Sequence, residues 1–101
     1  MNKYSLTTRR GAQVFYKQND KTSNFLGEKI QNRLNIMPQS ARVCECLKGD
    51  YYVLNYSKIP SVIVECGFLS NPEEAGSLVN NEYQEQLAEA ICSGIMKWLD
   101  K

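Results

Sequence analysis

The chain has 101 residues, 43% of them hydrophobic and 23% charged, with twelve basic and eleven acidic side chains. That composition describes one globular domain, since a single core normally organises about 100 to 150 residues. The formal net charge of +1 excludes a nucleic-acid binder that works by bulk basic charge, and the complete lack of histidine removes triad and Cys/His catalysis and every imidazole-based zinc site from what this chain can do alone.

In chain order, residues 1–10 read as a loop without the apolar stretch of a secretory signal, so any export address is expected outside this sequence. Gly11 to Tyr16, rich in β-formers and preceded by Thr-Thr-Arg-Arg, predicts a strand. Thr22 or Ser23 can cap a helix whose Leu26, Ile30 and Leu34, with Phe25 alongside, recur at four-residue spacing and stop before Pro38. Ile36 to Asp50 is irregular and long enough for a functional loop. Tyr51 to Asn55 is a short strand candidate. After Pro60, the apolar run Val62, Ile63 and Val64 predicts a central strand covered on both faces. Asn71-Pro72-Glu73-Glu74 carries an N-cap, a proline suited to the first helical position and a capping-box acid, and opens a short helix to about Val79. Asn81 with Gln84 repeats the device ahead of a terminal helix whose Tyr83, Leu87, Ile91, Ile95 and Leu99 form a core stripe.

The order strand, helix, short strand, strand, helix, helix predicts an α/β fold, part of a mostly parallel sheet with helices on both faces. Three strands are few for such a sheet, so the sequence reads as the second half of a larger sheet. An unpaired strand or helix would then seek a second copy of the chain, giving a homo-oligomer. Ten basic against four acidic residues in 1–58, and two against seven in 59–101, leave the halves at +6 and −5, which favours their mutual packing. The best apolar run, Ile59 to Leu69, is broken by Pro60, Glu65 and Gly67 and is too short to span a bilayer, which takes about 18 residues. Cys44, Cys46, Cys66 and Cys92 do not form a metal or disulfide framework and read as unpaired structural cysteines.

One carboxylate stands out. Glu65 ends the most apolar strand and precedes Gly67, whereas acids are rarely fully buried unless paired. Ligands in open α/β sheets bind beyond the carboxyl ends of strands, and a partly desolvated carboxylate there suits general acid–base work. An equally open reading is a structural carboxylate paired with a cation such as Arg42. A thiol mechanism using Cys66 is excluded by strand alternation, which turns neighbours to opposite faces.

The segment from Asp50 to Leu99, and above all the string Val64 to Glu74 (V-E-x-G-F-x-S-N-P-x-E), closely resembles the C-terminal half of zinc-dependent N-acetylmuramoyl-L-alanine amidases of the amidase-3 family, with the sporulation branch the most similar. The resemblance extends over the Gly11–Tyr16 strand and its helix, with Arg42 at the family's arginine before the Tyr52-Val53-Leu54 segment. It implies a peptidoglycan hydrolase acting at the cell wall or spore cortex, outside the cell. It makes Glu65 the catalytic carboxylate opposite zinc, and leaves Arg42 a possible substrate contact. The family's zinc ligands, two histidines and a glutamate, precede the first strand and have no counterpart here. The chain alone is therefore expected to bind no zinc and to be inactive. The alternative reading keeps the half-fold as a non-catalytic interaction or dimerisation module, with neither nucleic acid nor a membrane span involved.

Overall fold

The computed structural model describes residues 11–38, 40, 43–66 and 81–100. Its elements are strand β1 (Gln13–Tyr16), helix α1 (Lys21–Asn35), strand β2 (Leu47–Lys48), the one-turn helix α2 (Tyr52–Asn55), strand β3 (Val62–Glu65) and helix α3 (Asn81–Leu99). The expected loop at 1–10, Arg42, and the helix start at Asn71 lie outside the described residues.

The α/β architecture agrees with the sequence, while the pairing is mixed rather than mostly parallel. The strand order is β2-β1-β3; β1 runs parallel to β2, with Phe15 opposite Leu47, and antiparallel to β3, with Gln13 opposite Glu65 and Val14 opposite Val64. The central described strand is therefore β1, not the 62–64 run. Val14 is fully buried, whereas Val62, Ile63 and Val64 are only half-buried. Val62 and Val64 pack against the core, and apolarity on both faces of β3 does not decide which strand lies in the middle.

Two further expectations are corrected. β2 falls inside the segment read as irregular; two residues are too few to show an alternation, and Gly49 extends the ladder by donating its N–H to the Tyr16 carbonyl at 2.8 Å. Tyr51 to Asn55 is a helical turn, not a strand. Asn55 and Tyr56 donate their N–H groups to the carbonyls of Tyr51 and Tyr52, and the Asn55 amide reaches the Asp50 carboxylate at 2.8 Å. These local bonds override the strand preference of Tyr and Val, which depends on having a pleated surface to join.

A tight connection joins β1 to α1. Asn19 adopts φ 69°, a left-handed conformation that asparagine tolerates, and Asp20, not Thr22 or Ser23, is the N-cap. Its carboxylate accepts from the Ser23 N–H at 3.0 Å and the Ser23 hydroxyl at 2.8 Å. Ser23 is instead buried, and its Oγ accepts the Ser61 N–H at 2.9 Å, tying the start of α1 to the approach of β3.

The core joins Leu26, Ile30, Leu34 and Met37 to Val14 and to Tyr83, Leu87 and Ala90 of α3, with Val62, Val64 and Cys66 packed against it. Phe25 lies outside this core at 38% exposure, with the Lys29 ammonium 4.9 Å from its ring centre. The stripe of α3 is Tyr83, Leu87, Ala90 and Gly94, whereas Ile95 and Leu99 are exposed. At 3.6 residues per turn a strict four-residue step precesses by about 40° each time, so the later members of the expected stripe rotate out of the contact. Gly94 keeps the helices close: a Cβ there would stand 2.5 Å from the Ile30 Cα.

Candidate active site

Strand alternation places Val14, Val62 and Val64 toward the helices and Gln13, Phe15, Ile63 and Glu65 on the opposite face. Glu65, at the end of β3, retains 6% of its exposure. Its Oε1 accepts a hydrogen bond from the Tyr51 hydroxyl at 3.2 Å. Its Oε2 is buried and has no hydrogen-bond partner among the described residues. Leaving a buried acceptor unsatisfied costs about 1–3 kcal/mol, and more when it is charged, so such an atom calls for a functional explanation. Arg42, the cation considered from sequence, lies outside the described residues; the described partner of Glu65 is a phenol.

Because β3 is antiparallel to β1, the carboxyl end of β3 coincides with the amino end of β1, where Gln13 faces Glu65. The rule for parallel sheets points to Glu65, but the surroundings of Glu65 are the start of β1 rather than the carboxyl ends of its neighbours. This end of β1 is fixed by an amide network. Gln31, 2% exposed, accepts the Val14 N–H at 2.8 Å and donates to the Ala12 carbonyl at 3.0 Å and the Asn35 side chain at 3.1 Å. Since β2 pairs only with Phe15 and Tyr16, the Gln31 carboxamide stands in for the missing strand. Asn35 does the same for Cys44, accepting its N–H at 3.0 Å and donating to its carbonyl at 2.9 Å. Gln13 adds a donor to the Glu45 carbonyl.

Sequence reasoning missed Tyr51 and this network. The signal for the network was present: Gln31 and Asn35 follow Ile30 and Leu34 one residue later, a polar stripe beside the apolar one. Nothing in the spacing brings Tyr51 to Glu65.

The four cysteines are free, and Cys92 is exposed rather than buried. Burial pushes the Cys66 thiol above its usual range. Burial, with the Glu28 carboxylate adding to it, pushes Cys46 up to about 11. Both thiols therefore stay protonated at neutral pH and are poor nucleophiles, and Cys66 packs on the core side, away from Glu65.

A catalytic zinc takes three protein ligands. Among the described residues no group of three or more His, Cys, Asp or Glu could hold a metal ion, and Glu65 supplies a single carboxylate. The described donor set does not fit a zinc ion. No described helix is long and apolar enough to cross a membrane.

The sequence model of the amidase-3 family, N-acetylmuramoyl-L-alanine amidase, matches residues 1–97. The chain is 33% identical over 92 residues to the germination-specific N-acetylmuramoyl-L-alanine amidase of Bacillus subtilis, covering 87% of this chain and 37% of that protein. It is 37% identical over 79 residues to the uncharacterized B. subtilis protein YqiI, covering 78% of this chain and 38% of YqiI. Among solved structures, the CwlD amidase of Clostridioides difficile, determined in complex with the GerS lipoprotein, superposes with a TM-score of 0.92 at 38% identity over 99% of this chain and 51% of that one. The chain thus spans between about a third and about half of the length of these three relatives.

Proposed function

Because this chain belongs to the amidase-3 family of N-acetylmuramoyl-L-alanine amidases, we propose that residues 1–101 are the C-terminal portion of a catalytic domain that hydrolyses peptidoglycan. The bond cut is the amide between the lactyl group of N-acetylmuramic acid and the L-alanine of the stem peptide, and the place of action is the cell wall or spore cortex. The observation that carries this reading is the buried Glu65 carboxylate, tied through Oε1 and unpartnered at Oε2 among the described residues. Glu65 is the general base and then the general acid: it takes the proton of the water attacking the lactyl carbonyl and delivers it to the leaving amine, so the group ends as it began. Arg42 is a candidate substrate contact, since a guanidinium pairs well with the carboxylates of a stem peptide. Zinc, which the family resemblance implies, finds no fitting donor set among the described residues, and no step is assigned to it.

The register supports this assignment. Gln13 opposite Glu65 brings the chain entering β1 to the same end of the sheet as the carboxylate, where the active site must gather its other groups. As a partner we propose a second copy of the chain, joined along the outer edge of β2 or β3, which flank the described sheet.

The test is a chimera in which residues 11–100 replace the corresponding part of the B. subtilis germination-specific amidase. We expect amide cleavage of purified peptidoglycan, and its loss by about 10²- to 10⁴-fold in Glu65→Gln, which keeps the shape but accepts no proton. A folded chimera that cleaves nothing, or a Glu65→Gln form keeping more than about a third of the rate, overturns the assignment.

A further inference from the structure

We propose that Tyr51 is a positioning residue of this site: its phenol fixes Oε1 of Glu65 and thereby presents Oε2 as the oxygen that exchanges the proton. The inference rests on the reading of Glu65 as the general base and adds which atom works and what aims it.

The two carboxylate oxygens are not equivalent. Oε1 accepts from the Tyr51 hydroxyl at 3.2 Å, whereas Oε2, withdrawn from solvent, accepts nothing from the described residues. A carboxylate free to rotate about its terminal bond offers its lone pairs in changing directions, and proton transfer is sensitive to that direction. One hydrogen bond to one oxygen removes the rotation. A neutral donor does so without forming an ion pair that protonation would then have to break.

Tyr51 is itself held by the sheet, not by a loose loop. Its backbone is extended, at φ −121° and ψ 137°, as the N-cap residue of α2. Its ring meets the edge of Phe15 with centroids 5.4 Å apart at 62°, and Phe15 lies on the face that carries Glu65. Below the ring is Gly49, where an added Cβ would stand 2.6 and 2.7 Å from two ring carbons. Gly49 is bonded to the Tyr16 carbonyl, so the glycine is a seat for the ring built into the end of β2. A line of contact runs from β2 through Gly49 and Tyr51 to the carboxylate.

The experiment uses the full 101-residue chain with glutamate labelled at the side-chain carboxyl carbon. In the wild type we expect nuclear Overhauser contacts between the Tyr51 ring and the Glu65 side chain. In Tyr51→Phe, which keeps the ring and removes the donor, the Glu65 carboxyl resonance shifts. In Gly49→Ala, which touches neither residue's chemistry but displaces the ring, it shifts in the same sense. A role confined to folding would lower the melting temperature and leave the carboxyl resonance of the folded population in place. An unshifted resonance in Tyr51→Phe, or no ring contact in the wild type, overturns the proposal; the second measurement decides even if a variant fails to fold. Loss of activity in the Glu65→Gln chimera is read separately, so failure of the positioning role and failure of the general-base reading are distinct results.

Discussion

Gly94→Ala probes the contact that holds α1 against α3. In an ordinary helix interior this change is stabilising by about 1 kcal/mol, because alanine restricts the unfolded chain and glycine does not. At Gly94 the sign reverses. The added Cβ stands 2.5 Å from the Ile30 Cα, 2.8 Å from its Cγ1 and 2.8 Å from its backbone nitrogen. Two of these atoms are backbone and cannot swing aside, and Ile30 is only 1% exposed. Carbon atoms pack best at about 3.5–4.0 Å, so the helices must part by roughly 1 Å, a gap that forfeits a quarter to a half of the dispersion attraction across it. Overpacking of this kind costs about 1–3 kcal/mol, and the neighbouring Leu26, Leu87 and Ala90 of the same core lose contact as well. After the propensity gain, a net loss of up to about 2 kcal/mol remains. For a domain of this size each kcal/mol moves the melting temperature by about 4–8 °C, so we expect a fall of up to roughly 15 °C. Circular dichroism melts and urea titrations measure it, with Glu85→Ala on the exposed face of α3 as the control. A Gly94→Ala chain that melts at or above the wild type would refute the close-approach argument.

Three further outcomes are expected. Asp20→Ala removes the N-cap of α1 and costs about 1 kcal/mol, read by urea titration. The hydrogen bonds from Ser23 hold the Asp20 carboxyl below its usual value; a depressed folded-state value means the contribution is present above the unfolded-state pKa and lost as pH falls through the folded one, so the wild type loses this increment below about pH 4 and Asp20→Asn, which caps without titrating, does not. Gln31→Met leaves the Val14 N–H buried without its partner, at about 1–3 kcal/mol, and removes the donor to the part-buried Ala12 carbonyl, and amide exchange at Val14 accelerates relative to Phe15. Light scattering at micromolar concentration is expected to give a dimer or larger species; a well-folded 11.5 kDa monomer removes the proposed pairing along the outer edge of β2 or β3.

Some of this was legible in residue order alone. Leu26, Ile30, Leu34, Tyr83 and Leu87 recur at helical spacing and are buried, because that periodicity is a property of a single chain segment. Glu65 stood out for the same reason: an acid inside an apolar strand is anomalous wherever the strand ends up. The string Val64 to Glu74 points to the family, and the family model matches residues 1–97. The N-cap was misplaced by two or three residues because Asp20, Thr22 and Ser23 all have capping side chains, and the left-handed turn at Asn19 selects among them.

What tertiary structure decided lies between segments. The direction of β3 relative to β1 is fixed by pairing over four residues, and neither strand encodes it alone. Two residues of β2 show no period, and the helical turn at Tyr52–Asn55 wins over strand-forming side chains because its hydrogen bonds are local while a strand's must come from a neighbour. Where α3 meets α1 is set by the close approach of Gly94 to Ile30. The same holds at the site: the sequence singled out the acid, but its donor, Tyr51, is fourteen positions away and is brought there by Gly49 and Phe15. Identity and period are local quantities that a sequence carries directly, whereas the partner of a buried group is set by the packing of distant segments.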